Sequence, residues 1–328
     1  MAVDGIAQRV LPGIDRRKTA AAGKRVDASA CRLIHADCID GLKKLRADSI
    51  HFVATDPPYF LHGFGDEWDR AKLDKRVKPG VVGGLPSGMK FDKNQARRLR
   101  AFMFETATEL YRVLKPGGFM TVFCQARLAF AAGAALDEAG FEIRDKLAWK
   151  YEGQAKAFSQ THFVRKMNLS ARKKAALIKQ IDGRKTPQLK PQFEPILLAQ
   201  KPREGTFIDN WLNHQVGLMS PRQSLMGDGF PGTILEAPKP KKGAQLGHMT
   251  VKPVVVMRQL IRLFTVEGQT VLDPFTGSGT TAVAALRDNR RFIGFEIDAD
   301  YAEMARRRIK NEQDALGESA PVVYKTAI

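Results

Sequence analysis

Gln269-Thr270-Val271-Leu272-Asp273-Pro274-Phe275-Thr276-Gly277-Ser278-Gly279-Thr280-Thr281 passes from a β-rich run through an acid and a proline into a glycine pair. That pattern reads as a strand, a tight turn and a helix that continues to Arg287. Arg291-Phe292-Ile293-Gly294-Phe295 is the next strand, and Glu296 ends it. Strand, glycine turn, helix, strand, acid is the mononucleotide-binding half of a doubly wound α/β sheet. Gly277 and Gly279 let a ligand approach the backbone at a helix N-terminus, and Glu296 is spaced to accept both hydroxyls of a ribose. The bland alternative is a tight turn that holds nothing.

Missing residues narrow the ligand. Thr281, Ala282 and Val283 stand where dinucleotide spacing would need a third glycine, and no G-K-[ST] follows the turn, which excludes a P-loop. An adenosine-bearing cofactor without phosphates fits, and S-adenosylmethionine is the expectation.

A second loop lies far upstream. Ile50-His51-Phe52-Val53-Ala54-Thr55 runs into Asp56-Pro57-Pro58-Tyr59, a strand end opening into a stiff turn. It presents one carboxylate, carbonyls freed from a ladder, and a ring. That set suits a flat group carrying an exocyclic amine; a proline-rich turn closing a buried strand is the plainer reading. Cys31 to Ala36 is a strand ending at Asp37, and Asp40 to Ala47 is a short helix, so a parallel βαβ unit places Asp37 and Asp56 on one rim.

The formal charge of +18 and pI of 9.9 over 328 residues point to a polyanionic partner, nucleic acid before an anionic membrane. No run of about eighteen apolar residues occurs and residues 1–29 lack an apolar signal core, so a cytoplasmic protein is expected. Cys31, Cys38 and Cys124 form no C-x-x-C pair, and no metal site is indicated.

Residues 1–29 read as a flexible basic arm, and 60–95, rich in glycine with Phe64 and Trp68, as a long loop following the site. A helix over Asn94–Leu114 stops at Lys115-Pro116-Gly117-Gly118. Strands follow at Phe119–Cys124, Phe141–Trp149 and Phe193–Ala199, with a helix over Ala126–Ala139. Residues 150–190 hold eleven basic side chains against two acidic ones, half of the chain's whole excess, with Tyr151, Phe158 and Phe163 interleaved. A solvated face is the usual reading of such a run; at this density a phosphate-contacting surface is favoured. Its candidate DNA contacts are Lys156, Arg165, Lys166, Arg172, Lys173, Lys174, Arg184 and Lys185. Residues 203–247 read as a small variable module outside the sheet. Val254–Phe264 is an amphipathic helix, and Ala299 to about Glu312 the last one.

Together, Asp56-Pro57-Pro58-Tyr59 and Asp273 to Thr281 resemble the amino-group DNA methyltransferases, which modify adenine N6 or cytosine N4. The D-P-P-Y loop comes first and the glycine loop last, as in the β group of that family. His248-Met249-Thr250-Val251-Lys252-Pro253 is similar to that group's H-P-T-Q-K-P element, departing at Met249 and Val251. Lys115-Pro116-Gly117-Gly118 and Phe193-Glu194-Pro195-Ile196 also match.

The resemblance implies a Rossmann-like methyltransferase fold with a doubly wound mixed seven-stranded sheet, permuted motif order and an inserted target-recognition region. The chain then divides into the arm (1–29), a catalytic half (30–150), a basic insertion with target recognition (150–247, including core strand 193–200), a cofactor half (248–312) and a tail (313–328). It implies S-adenosylmethionine held by Asp37, Thr250, Lys252, Asp273, Phe275, Gly277, Gly279, Thr280 and Glu296. Glu296 would take the ribose, Asp37 the adenine amine, and Thr250 with Lys252 the methionine end. The target base, flipped from duplex DNA, would stack on Tyr59 while Asp56 and the Pro57 carbonyl accept its amine, with Pro58 stiffening the loop. Asp56 favours adenine, because cytosine enzymes more often carry serine there. Methylation of RNA or a protein amide, or an inactive DNA-binding homologue, are the other classes. The chain is too short for its own nuclease domain, so a cognate restriction endonuclease would be separate; a homodimer is compatible with the sequence.

Overall fold

The computed structural model describes residues 31–58, 94–155, 157–226, 229–240, 251–317 and 323–326. Among these residues, nine strands form one sheet. In chain order they are β1 (Cys31–His35), β2 (Ile50–Thr55), β3 (Leu114–Phe123), β4 (Glu142–Lys150), β5 (Phe193–Gln200), β6 (Ile234–Glu236), β7 (Thr270–Asp273), β8 (Arg291–Glu296) and β9 (Val323–Thr326). Their spatial order is β6-β4-β5-β3-β2-β7-β8-β1-β9. Among the described strands only β5 runs antiparallel to its neighbours, β3 and β4.

The seven expected strands are all present, and one short strand extends each edge. This corrects two readings. Residues 203–247 are not outside the sheet, because β6 pairs with β4 through Ala148, Trp149 and Lys150. The tail carries β9, which pairs with β1. Three- and four-residue strands take their order from the edge they join and show too little alternation to read alone.

Helices cover both faces. On one side lie α1 (Cys38–Lys43), α2 (Gln95–Val113) and α3 (Ala129–Glu138), burying Leu42, Leu99, Met103, Leu110 and Leu136 against Val53, Met120 and Val122. On the other lie the three helices of the C-terminal half, Val254–Phe264, Thr280–Arg287 and Ala299–Ala315, which bury Met257, Leu260, Phe264, Ala284 and Ile309 against Phe52, Val271 and Phe292. Burial on both faces explains why the central strands read as continuous apolar runs.

Lys115-Pro116-Gly117-Gly118 ends helix α2 as expected, yet lies inside β3, which starts at Leu114. Gly117 takes φ +76°, and a Cβ there would lie 2.2 Å from the Asn210 amide. Asn210, buried in a helix over Phe207–His214, donates to the Pro116 and Val216 carbonyls. Part of the 203–247 segment thus braces the amino end of β3.

A candidate ligand rim follows from the topology. From β2 the chain crosses to β3 on one side, and from β7 to β8 on the other. The carboxyl ends of adjacent β2 and β7 therefore flank the switch point, where ligands bind in such sheets.

Candidate active site

Asp56 follows β2 and the glycine loop follows β7, and a buried lock joins them. The Asp273 carboxylate, 3% exposed, accepts from Thr55 Oγ1 at 2.8 Å, Thr281 Oγ1 at 2.5 Å and the Phe275 amide at 3.1 Å. Thr55 immediately precedes Asp56, so Asp273 fixes the two functional loops relative to each other. This carboxylate is turned into the protein rather than towards the open rim. Burial pushes its pKa up to about 6; the three donors oppose that, and the Asp56 charge adds to it.

A pH signature results. A carboxyl raised in the fold adds stability that is fully present below its unfolded value near 4 and is lost as pH rises towards 6. The wild type should therefore lose roughly 3 kcal/mol relative to Asp273→Asn between those pH values, then level off. Denaturant unfolding of both proteins across that range checks it, and a pH-independent difference would contradict it.

The glycine loop is shaped by its neighbours. Gly277 has φ +52° and Gly279 φ +84°. Gly279 caps the helix Thr280–Arg287, and a Cβ there would lie 3.1 Å from Ala305 Cβ and 3.2 Å from its Cα. Gly279→Val places a β-branched residue in the left-handed region against backbone, a strain on the order of 1–3 kcal/mol. Lower thermal stability and loss of cofactor affinity are expected; unchanged affinity by calorimetry would refute the role of this turn.

Glu296, at the end of β8, is 9% exposed. Its Oε2 accepts from the Gly277 amide at 2.7 Å and its Oε1 from the Asp298 amide at 2.9 Å. Burial pushes its pKa up, and those two amides pull against the shift. Thr280, with Ser278, receives Arg308, whose Nη1 lies 2.7 Å from the Ser278 carbonyl, 2.8 Å from its hydroxyl and 3.3 Å from Thr280 Oγ1. Asp37 caps α1, accepting from Ile39 and Asp40, and remains exposed after β1. The Phe275 ring lies 5.6 Å from that of Phe102 on α2.

Lys252 pairs with the proline loop and with β5. Its ammonium, 6% exposed, lies 2.5 Å from Asp56 Oδ2 and 3.0 Å from Glu194 Oε1. Burial alone would lower its pKa, but the two carboxylates outweigh that and raise it. Because β5 is antiparallel, Glu194 at its start reaches the same rim as Asp56. Pro57 is buried and Pro58 partly so. Tyr59, Thr250, Lys156, the arm 1–29 and loop 60–93 lie outside the described residues.

Between β4 and β5 the basic segment forms two helices, Thr161–Lys166 and Ala171–Gln180. Val164 alone is buried on the first and no residue on the second. Arg165, Lys166, Arg172, Lys173, Arg184 and Lys185 are exposed, Lys174 partly buried, and Phe158 and Phe163 half exposed. Thr186 closes the base of this arm against Phe158 by two hydrogen bonds. The arm springs from the strand ends that border Asp56 and Glu194.

These two loops on one rim are those of the DNA methylases of the N6/N4 methyltransferase group, whose family model matches residues 50–307. The chain belongs to this family. Among similar proteins, the type II methyltransferase M.HindIII of Haemophilus influenzae is 29% identical over 311 residues, covering 86% of this chain and 96% of that one. The DNA adenine methyltransferase YhdJ of Escherichia coli is 24% identical over 298 residues, covering 87% and 84%. TTHA0409 of Thermus thermophilus, solved with S-adenosyl-L-methionine, shares the fold with a TM-score of 0.53 at 18% identity, over 90% of this chain and 97% of that one.

Several residues of this methylase site escape sequence reading. Thr55 and Arg308 look like an ordinary strand residue and one of three consecutive arginines. Glu194 carried a signal: it is an acid inside the apolar run Phe193–Ala199.

Proposed function

We propose that this methylase transfers a methyl group from S-adenosylmethionine to the exocyclic N6 of adenine in double-stranded DNA. The observation that carries the reading is the shared rim: Asp56 and the glycine loop are joined through Thr55 and Asp273 at the sheet's switch point.

The rim fits that cofactor chemically. Glu296 offers carboxylate oxygens to a ribose diol, Asp37 an acceptor to an adenine amine, Phe275 an apolar wall, and the glycine turn exposed backbone. Bound there, S-adenosylmethionine supplies an electrophilic methyl group. The protein's part is positioning: the Asp56 carboxylate and Pro57 carbonyl accept the two amine hydrogens and draw the nitrogen lone pair away from the ring. Tyr59 stacks on the base. A carboxylate here favours adenine N6 over cytosine N4.

The basic segment between β4 and β5 supports duplex DNA as substrate, since it carries exposed cations at phosphate-contacting density. Residues 150–247 supply target recognition. As a DNA-acting enzyme it works in the cytoplasm; among the described residues no helix is long and apolar enough to cross a membrane. A homodimer and a separate cognate restriction endonuclease complete the reading.

Tritiated methyl transfer to duplex DNA, to RNA and to protein tests it. Incorporation into duplex DNA is expected; incorporation into RNA or protein alone would refute it.

A further inference from the structure

An ammonium ion buried from water is costly unless its charge is matched by close partners. Lys252 meets this condition with two carboxylates from different strands. Asp56 follows β2 and Glu194 opens β5, with β3 lying between them in the sheet. The ammonium bridges over the end of β3, 5.4 Å from the centre of the Phe123 ring. One cation therefore spans three strand ends and terminates on the carboxylate that the methyl-transfer reading assigns to the target amine.

We propose that Lys252 and Glu194 are positioning residues for Asp56, the shared ammonium holding the Asp56 carboxylate where the incoming amine must find it. The inference rests on the proposed methyl transfer and moves Lys252 from the cofactor's methionine end to the base-gripping loop. Glu194 is essential to the device. A lysine paired with Asp56 alone would neutralise the acceptor; divided between two carboxylates, it orients Asp56 and leaves the trio with a net negative charge.

The surroundings keep that charge constant. Cys124, after β3, is held protonated by burial and then by Asp56 and Glu194, which push it up to about 12. Tyr151, after β4, is raised by burial and by Glu194, and Lys239 lies over its ring. Lys252 is raised because the two carboxylates outweigh its burial. Without Glu194, burial opposes Asp56 alone and the ammonium loses its proton at lower pH.

The test uses Lys252→Met, Lys252→Arg and Glu194→Gln in the full chain, with tritiated methyl incorporation into unmodified genomic DNA and calorimetry of S-adenosylmethionine binding. For Lys252→Met, kcat should fall about 100-fold, as expected for a misplaced reacting group, while the cofactor Kd stays within about threefold. Lys252→Arg should recover part of the loss. Glu194→Gln should move the alkaline limb of kcat down by about one pH unit or more, a change that mere loss of packing does not produce. Should Lys252→Met fail to fold, the Glu194→Gln profile decides alone.

Unchanged kcat in Lys252→Met overturns the proposal. So does a cofactor Kd that rises in step with the loss of kcat, which would return Lys252 to the methionine end. A Glu194→Gln profile that superimposes on the wild type overturns it as well. An active wild type with any of these results refutes the positioning role alone, whereas a wild type inactive on DNA refutes the methyl-transfer reading and the inference together.

Discussion

Asp56→Ala should lower kcat for DNA methylation by about a thousandfold or more while leaving cofactor affinity nearly intact. The side chain sits at the end of β2, on the loop that receives the base, whereas the cofactor's proposed contacts follow β7, β8 and β1. Methyl transfer needs the amine lone pair free of the ring, and the carboxylate supplies the stronger of the two acceptors. The variant should still fold, because Lys252 retains Glu194 at 3.0 Å. Asp56→Asn keeps an acceptor oxygen in nearly the same volume and should fall between Ala and wild type. Single-turnover methylation with calorimetry on the same samples separates the two effects. Full activity in Asp56→Ala would sink the scheme; equal losses of cofactor binding and rate would place Asp56 in the cofactor site instead.

The second large effect is expected from the arm. Replacing Arg165, Lys166, Arg172, Lys173, Arg184 and Lys185 with glutamine removes six exposed cations, four on helices that bury almost nothing and two on the segment that follows them. Folding should be unaffected, since none of these side chains is part of the core. DNA affinity should drop by about a hundredfold or more at moderate salt, and the slope of log K against log salt should flatten by about 0.9 for each phosphate contact removed. Cofactor affinity should not change. Salt titrations of binding to duplex DNA of mixed sequence measure the slope; an unchanged slope would show that the arm faces away from the DNA backbone.

What could be read from the chain depended on how local the determinant was. The glycine loop, the proline loop and their strands are each encoded within about a dozen residues, by breakers at the ends of apolar runs. Their meeting on one rim followed from strand order in this fold class. Asp273 was legible as a motif residue but not as a lock: Thr281 lies in the same motif, but Thr55, which ties it to the other loop, is 218 residues away. The pairing of Lys252 with Glu194 was hidden in the same way: nothing local shows that β5 runs antiparallel and brings Glu194 to its side. The edge strands β6 and β9 were missed because three or four residues carry no periodicity. Helices in the basic segment were obscured by charge, as they have almost no buried face to mark their period.

The central claim, methyl transfer to adenine N6 by a site built from the Asp56 and Gly277–Gly279 loops, is tested most directly by nucleoside mass spectrometry. Unmodified genomic DNA treated with the enzyme and S-adenosylmethionine would be digested to nucleosides and compared with an Asp56→Ala control. N6-methyldeoxyadenosine is expected in the wild-type digest alone. N4-methyldeoxycytidine, or no methylated nucleoside, would contradict it.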